Sequence, residues 1–261
     1  LRDLAPLGPD PSAGRWVPRG SRSRCARAGR PSAGSQEPGP FDGAGVAFRR
    51  LTGVATGVLV LLLAGCGEEG PVARMPGPPC PERMAHLEAI GACIDRHEAV
   101  VEGGEAVPAD GRMPTTEVSF HDSVAACRAA GFRLCTREEW HFACTGVRPG
   151  EEGGRLYPYG DAYEHERCNS AQDGTSVVGR ALAPGGSREG CVTPEGVYDL
   201  SGNLGEWVDG ADLTGTLCEL RGGSFANYEK PAQCVTDPLA FQPPEVRFDG
   251  QGFRCCRDAR E

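Results

Sequence analysis

One acidic, glycine-containing stretch, residues 196–207, constrains the fold of this chain more than any other. Its apolar side chains favour burial, and its three glycines permit backbone conformations that other residues avoid. Its polar residues Asp199, Asn203 and Glu206 carry oxygen atoms that need partners if they are buried. Two interpretations meet these demands. The oxygens converge on calcium, which accepts about six to eight oxygen ligands, or the stretch is a tight turn whose carboxylates face water.

Four shorter motifs accompany this stretch along the chain. They are RLCTREEW at residues 133–140, YPYG at 157–160, RGGSF at 221–225 and GFRC at 252–255. Together with residues 196–207 they resemble, in order, the motifs of the sulfatase-modifying-factor family, whose founding members are the formylglycine-generating enzymes. The resemblance implies an irregular α+β domain, a variant of the C-type-lectin fold, with few helices, many short strands, long loops and stabilising disulfides. Motif order is stronger support for a fold than for an activity.

Local patterns in the chain favour the same architecture. Ser119 precedes Asp122 by three residues, and Thr136 precedes Glu139 by three residues. This spacing is typical of a capping box and predicts two helix starts. Trp140 lies on the face of the second helix that points inward. After residue 150 there is no helical period, and Gly, Pro and Asp are frequent, which predicts short strands and long loops.

The first 50 residues are basic, with nine arginines against four acidic residues, and they are rich in Pro, Gly and Ser. Such a segment is typical of a nucleic-acid or membrane-binding arm, or of a disordered leader. The whole chain contains one lysine, so a GC-rich codon bias accounts for the arginines. We interpret residues 1–45 as a disordered leader or an over-extended gene start. The rest of the chain is acidic, so no nucleic-acid partner is expected.

A hydrophobic segment follows, and residues 46–65 have the pattern of a signal peptide. Two arginines at 49 and 50 precede the uncharged residues 51–63, and the sequence Leu-Ala-Gly then leads to Cys66. As a helix the uncharged run spans about 20 Å, whereas the hydrocarbon core of a bilayer is about 30 Å thick. This length favours a cleaved signal peptide over an uncleaved anchor or a buried helix.

The end of this segment resembles a bacterial lipobox, which implies that Cys66 is lipidated. Residues 66–79, rich in Pro, Gly and Glu, would then be a tether to the membrane. Gly67 rather than an aspartate follows Cys66, which favours the outer membrane. We therefore expect a lipid-anchored protein of the bacterial cell envelope that faces the periplasm or the cell surface. Residues 80–261 would form its folded domain.

Cysteine usage agrees with export. Beyond Cys25 and Cys66, the remaining 11 of the 13 cysteines fall in the expected domain, and disulfides persist outside the cytosol. Zinc is the competing explanation, but no C-x-x-C pair is present and the five histidines are scattered. The family resemblance implies the pairs Cys127–Cys255 and Cys144–Cys234. Further expected pairs are Cys80–Cys93, Cys168–Cys191 and Cys135–Cys256.

The family resemblance also implies bound calcium. The first site would use the side chains of Asp199 and Glu206 and the carbonyls of Gly202 and Leu204. A second site would use Asn169 and Ser170 with Asp173 and Thr175. The loop around this second site is shorter here than in the family, so the sequence leaves its presence open.

The copper chemistry of the family is not expected here. Aerobic formylglycine-generating enzymes oxidise a substrate cysteine with oxygen and hold copper(I) between two cysteines, because copper(I) prefers thiolate ligands. These cysteines lie two and seven residues after the aromatic residue of the RGGS motif. The matching positions here are Asn227 and Ala232. Cys234 is a remnant of that pair or a disulfide cysteine.

Two functions are compatible with this sequence. The favoured one is an exported lipoprotein whose domain is a binding or structural module for a peptide, a glycan or an envelope component. The alternative is a divergent formylglycine-generating oxidoreductase that acts on a cysteine in sulfatase-type substrates, or a relative that uses iron. Iron-dependent relatives need a histidine-rich site, and the scattered histidines do not suggest one.

Overall fold

The computed structural model describes residues 79–171, 181–226, 232–235 and 241–260. The expected leader, signal peptide and Cys66 lie outside the described residues, as does nearly all of the tether. Within the described part the chain forms two α-helices and ten short strands, which confirms the predicted α+β architecture. The elements are β1 (Met84–Leu87), β2 (Ala92–Asp95), β3 (Ala99–Glu102), β4 (Glu105–Pro108), α1 (Phe120–Ala129), β5 (Arg133–Leu134), α2 (Arg137–Thr145), β6 (Gly205–Ala211), β7 (Cys218–Arg221), β8 (Phe241–Gln242), β9 (Gln251–Phe253) and β10 (Cys255–Asp258).

The strands form two four-stranded sheets and one hairpin. The first sheet has the order β1-β2-β10-β5, so the last strand of the domain lies between two early ones. The second sheet has the order β8-β7-β6-β9, in which β6 pairs with β9 in parallel. Strands β3 and β4 pair with each other. Strands β2 and β10 pair although they are far apart in the sequence, so the first sheet is complete only when both ends of the domain have folded.

Both helices begin with the predicted capping boxes. The Ser119 hydroxyl accepts from the Asp122 amide at 3.2 Å, and the Asp122 carboxylate accepts from the Ser119 amide at 2.8 Å. Thr136 and Glu139 repeat this reciprocal arrangement at the start of α2. The two helices are 10 and 9 residues long. Across the part of the chain that the structure describes, no helix has the length and apolar character needed to cross a bilayer.

Five disulfides tie these elements together. Adjacent residues of a strand point to opposite faces. In β10, Cys255 is bonded to Cys127 in α1, and Cys256 is bonded to Cys135 just before α2. The strand is therefore fixed on both sides. All five pairings expected from the sequence are present: Cys80–Cys93, Cys127–Cys255, Cys135–Cys256, Cys144–Cys234 and Cys168–Cys191.

Strand β6 separates two hydrophobic clusters and presents alternate side chains to each. Trp207 is fully buried, packs edge-to-face on Phe120 of α1 with ring centroids 6.0 Å apart, and donates its indole N–H to the Val118 carbonyl. Glu206, its neighbour, faces the other cluster, where it meets Trp140 of α2. This alternation places a carboxylate in the interior of the domain.

Candidate functional site

Residues 196–207, here called the signature loop, run through the interior and lead into β6. Asp199 and Asn203 adopt left-handed backbone conformations with φ of 59° and 57°, which asparagine and aspartate tolerate better than most residues. Gly202 has φ of 77°, and a Cβ atom there would lie 2.4 Å from the carbonyl oxygen of Asn169. Gly202 is therefore required both by its conformation and by the close approach of the neighbouring chain.

The polar side chains of the signature loop are buried rather than solvated. Asp199, Asn203 and Glu206 are exposed by 3% or less. The alternative of a surface turn with carboxylates in water is therefore wrong. The cause is tertiary, because partners from distant parts of the chain satisfy these side chains.

Both the oxygen and the nitrogen of the Asn203 side-chain amide form hydrogen bonds. Its oxygen accepts from the side-chain amide of Asn169 at 2.9 Å and from the Ala183 amide at 3.0 Å. Its nitrogen donates to a Glu98 carboxylate oxygen at 2.6 Å and to the Ala183 carbonyl at 3.2 Å. The residue thereby joins three segments of the chain at one buried point.

Glu98 belongs to the same buried network, and the sequence did not single it out as a site residue. It is fully buried, and its second carboxylate oxygen accepts from the backbone amide of Leu204 at 3.0 Å. Burial, followed by the negative charges of Asp199 and Glu206, raises the pKa of Glu98 well above its ordinary value. No local pattern marks this glutamate, because its partners lie more than a hundred residues away along the chain.

Asp199 is a second buried acid with a raised pKa. One of its carboxylate oxygens accepts from the Gly186 amide at 2.7 Å. Burial raises the pKa of Asp199 to about 6, and the Gly186 hydrogen bond and the Arg254 charge oppose this shift. The side chain therefore titrates in a mildly acidic range.

Glu206 forms a buried ion pair with Arg254. Its two carboxylate oxygens accept from Arg254 at 2.5 and 2.6 Å, and one of them also accepts from the indole N–H of Trp140 at 2.9 Å. Burial opposes the charge on Arg254, but the carboxylates of Glu206, Glu98 and Asp199 outweigh it and raise the pKa of the guanidinium. Arg254 is therefore a permanent cation inside the domain.

This ion pair decides how well the expected calcium ligands fit. A calcium ion at Glu206 needs carboxylate oxygens that are not already neutralising another cation, and both Glu206 oxygens bind Arg254. Glu206 therefore does not fit the ligand role expected for it. Asp199 accepts from the Gly186 amide through one of its two carboxylate oxygens. The ligand roles of the Gly202 and Leu204 carbonyls stay predictions. Among the described side chains, no group of three or more histidines, cysteines or acidic residues is arranged to hold a metal ion.

The second expected calcium site adjoins the signature loop. Asn169 and Ser170 are both buried, and the Asn169 carbonyl accepts from the Asn203 amide at 2.8 Å. The Asn169 side chain also donates to the Ala181 carbonyl at 3.0 Å. Asp173 and Thr175 lie outside the described residues, so this site stays a prediction.

The segment that carries the copper cysteines in the family lies directly against the signature loop. We call residues 221–226 and 232–235 the RGGS segment. The Gly222 carbonyl accepts from the Gly202 amide at 2.8 Å, and the Phe225 amide donates to the Asn203 carbonyl at 2.9 Å. A Cβ atom on Gly222 would lie 2.9 Å from the Leu200 carbonyl oxygen and 3.0 Å from the Trp140 ring. Small residues are therefore needed where the two segments meet.

The cysteine of the RGGS segment forms a structural disulfide. Cys234 forms the disulfide with Cys144 of α2, and its carbonyl accepts from Arg221 at 3.1 Å. Ala232 is fully buried, and its carbonyl accepts from the Ser201 hydroxyl. Asn227 lies outside the described residues. Ten cysteines in the described part of the chain form the five disulfides given above, Cys234 among them.

The family model described as "Sulfatase-modifying factor enzyme 1-like domain" matches residues 80–259. These bounds enclose both sheets, both helices, the signature loop and the RGGS segment.

Individual relatives include proteins named as inactive and as active. The chain is 31% identical over 170 residues to "Inactive C-alpha-formylglycine-generating enzyme 2" of Bos taurus, covering 56% of this chain and 51% of the relative. It is 27% identical over 180 residues to "Formylglycine-generating enzyme" of Streptomyces coelicolor, covering 56% and 53%. The chain thus spans about half the length of the curated relatives it matches. A solved structure, Treponema denticola variable protein 1, aligns with a TM-score of 0.48 and 15% identity over 69% of this chain and 93% of that one.

Proposed function

Because the chain belongs to the sulfatase-modifying-factor family, we propose that its domain is a binding or structural module without copper-dependent oxidase activity. The domain has the C-type-lectin-like α+β fold of the family, with few helices, many short strands and several disulfides. A fold of this kind supports many functions, so the proposal depends on the chemistry of one segment rather than on the fold.

The observation that carries the proposal is the absence of a thiolate pair at the family positions. These positions hold Asn227 and Ala232. The nearby Cys234 forms a disulfide with Cys144, and a disulfide sulfur is not a thiolate ligand. Copper(I) needs soft sulfur ligands, which neither an amide nor a methyl side chain supplies. The bovine relative named as inactive offers a precedent for the same fold without this activity.

The retained scaffold supports a binding role. The signature loop and the RGGS segment are joined by hydrogen bonds from Gly202 to Gly222 and from Phe225 to Asn203. These contacts fix the backbone of the RGGS segment against the signature loop. We propose that the surface beside this segment binds a peptide, a glycan or another envelope component.

A divergent formylglycine-generating oxidoreductase is the second candidate. It is favoured by the match to a protein of Streptomyces coelicolor that is named as a formylglycine-generating enzyme. In this case a cysteine in a sulfatase-type peptide would be the substrate, with oxygen as the oxidant. The segment would then need thiolates from outside the described residues.

A copper titration with an activity readout separates the two candidates. The oxidised full chain is titrated with copper(I) against a chromophoric chelator and is incubated with a cysteine-containing sulfatase peptide. We expect no stoichiometric copper binding and no formylglycine by mass spectrometry. Turnover by the unmodified chain would overturn the binding-module proposal.

A paired-cysteine variant provides the matched control. Asn227→Cys with Ala232→Cys restores two sulfurs at the family positions, whereas Asn227→Ser with Ala232→Ser changes the same positions without thiolates. We expect copper(I) binding in the first variant and none in the second. Equal copper affinity in both variants and in the unmodified chain would show that the metal binds elsewhere.

We also propose that the protein is anchored to the bacterial envelope through a lipid on Cys66. Each buried methylene of an acyl chain contributes about 0.8 kcal/mol, so several chains hold a protein firmly on a membrane. Metabolic labelling with palmitate should mark the unmodified protein and not the Cys66→Ser variant. Labelling that persists in the variant would contradict this anchor, and fractionation would then locate the protein directly.

A further inference from the structure

We propose that Arg254 takes the place of calcium as the cation that organises the signature loop, so that the loop folds without calcium at Glu206. The guanidinium group of Arg254 is fully buried. It lies against Glu206, for which the family resemblance implied a role as a metal ligand.

All five N–H donors of Arg254 are engaged by oxygen atoms. The Nε and one Nη2 donor bind the two carboxylate oxygens of Glu206 at 2.6 and 2.5 Å. The other Nη2 donor binds the Tyr198 carbonyl at 2.9 Å. The Nη1 donors bind the carbonyls of Asp95 and Arg96 at 3.0 and 3.4 Å. A guanidinium has five donors in a fixed planar arrangement, so its hydrogen-bonding capacity is complete.

This set of partners has the composition of a calcium coordination shell. Two carboxylate oxygens and three backbone carbonyls surround one positive charge, and carboxylates and carbonyls are the ligands that calcium prefers. The oxygens come from the end of β2, from the signature loop and from β6. Arg254 therefore joins the same kind of scattered segments that a bound cation would join.

Arg254 and calcium exclude each other at Glu206. A divalent ion bound to this carboxylate would lie a few ångströms from the guanidinium, and like charges repel strongly in a buried, poorly polarisable environment. Relieving the repulsion would require Arg254 to leave. The buried carbonyl groups of Asp95 and Tyr198 would then lose their hydrogen-bond donor. The arginine is thus the better partner for Glu206.

The rest of the signature loop is satisfied by protein groups as well. Asn203 makes four hydrogen bonds, and the Leu204 amide donates to Glu98. The Asp199 carboxylate accepts from the Gly186 amide. The polar groups that fix the loop therefore have partners without an added ion.

Thermal unfolding of the full oxidised chain tests this proposal. Melting is measured after chelation with EDTA and again with millimolar calcium, with magnesium at equal ionic strength as the control. A calcium site filled to about a hundred times its dissociation constant would raise the Tm by about 5–10 °C. We expect a Tm difference below about 1 °C. A calcium-specific rise that Glu206→Gln abolishes would overturn the proposal.

Two further measurements distinguish a calcium ion at Glu206 from a calcium ion at the second expected site. A calcium-dependent rise that survives Glu206→Gln but disappears in Asp173→Asn would support the proposal, because the ion would then lie at the second site. If Glu206→Gln does not fold, terbium luminescence is measured in Asp173→Asn, because Trp140 lies 2.9 Å from the Glu206 carboxylate and would sensitise a bound ion. Calcium-displaceable emission in that variant would overturn the proposal, and its absence would support it.

Discussion

The signature loop and the RGGS segment lie against each other, but they contribute to the domain in different ways. The loop contributes buried side chains, Asn203 and Glu206, whose hydrogen bonds reach Glu98 and Arg254. The RGGS segment meets the loop through backbone atoms, such as the Gly222 carbonyl and the Phe225 amide. Substitutions of these loop side chains should therefore disturb the interior. The backbone contacts are compatible with the proposal that the scaffold is kept while the copper thiolates are replaced.

The largest expected effect tests the ion pair of the signature loop. Arg254→Met should lower the free energy of unfolding by about 3–5 kcal/mol, because Glu206 would remain as an uncompensated buried charge. The measurement is urea unfolding of the oxidised protein at neutral pH. The control is Arg112→Met, which breaks the solvent-exposed pair with Glu102 and should cost less than about 1 kcal/mol. Similar losses of unfolding free energy in both variants would show that the buried pair of the signature loop contributes no more to stability than an exposed pair.

The next effect tests the anchor of the RGGS segment. Replacing Cys144 and Cys234 together by alanine should cost about 2–5 kcal/mol, because their disulfide closes a separation of 90 residues. The control replaces Cys80 and Cys93, whose separation is 13 residues, and the chain-entropy model gives it a smaller loss. Urea unfolding without reductant compares them. A larger loss for the short bridge would contradict a scaffold role for Cys234.

The next prediction concerns how the stability of the domain depends on pH through the buried carboxyl group of Asp199. The pKa of Asp199 is raised from 3.8 to about 6, so the folded state holds its proton more tightly than the unfolded state. The stabilisation from this proton is complete below about pH 4 and is lost as the pH rises through about 6. Asp199→Asn keeps the left-handed conformation accessible and removes this titration.

The measurement is the difference in unfolding free energy between the unmodified chain and Asp199→Asn across this pH range. We expect the variant to gain about 1–3 kcal/mol relative to the unmodified chain between pH 4 and pH 7. A flat difference would mean that Asp199 is ionised with an ordinary pKa in the folded protein.

The smallest effect tests the direct link between the two regions. Ser201→Ala removes the hydroxyl that donates to the Ala232 carbonyl and should cost about 1 kcal/mol. The control is Val235→Ser on the exposed side of the same segment, which should be close to neutral. Chemical unfolding of both variants gives the comparison. A neutral Ser201→Ala would show that the two regions are coupled only through their backbones.

Local signals predicted the helices but not the network between them. The capping boxes at Ser119 and Thr136 depend on groups three residues apart, so the sequence contains everything needed to recognise them. Glu98 and Arg254 act through partners that are distant in sequence. Arg254 belongs to the GFRC motif, but the motif does not show which carboxylate it meets, because that contact exists only after the strands have paired.

The sequence by itself determined the two helix starts. It also places Asn227 and Ala232 where the family resemblance implies thiolates, and the replacement of those thiolates stays a proposal. Through its resemblance to a family it also gave the disulfide partners of Cys127 and Cys144. Only the tertiary structure decided which cation meets Glu206. Arg254 lies 48 residues away, and it reaches that carboxylate because β6 and β9 pair in parallel just before β10 begins. A charge pair in the interior is chosen by proximity in space, which a linear pattern of residues does not encode.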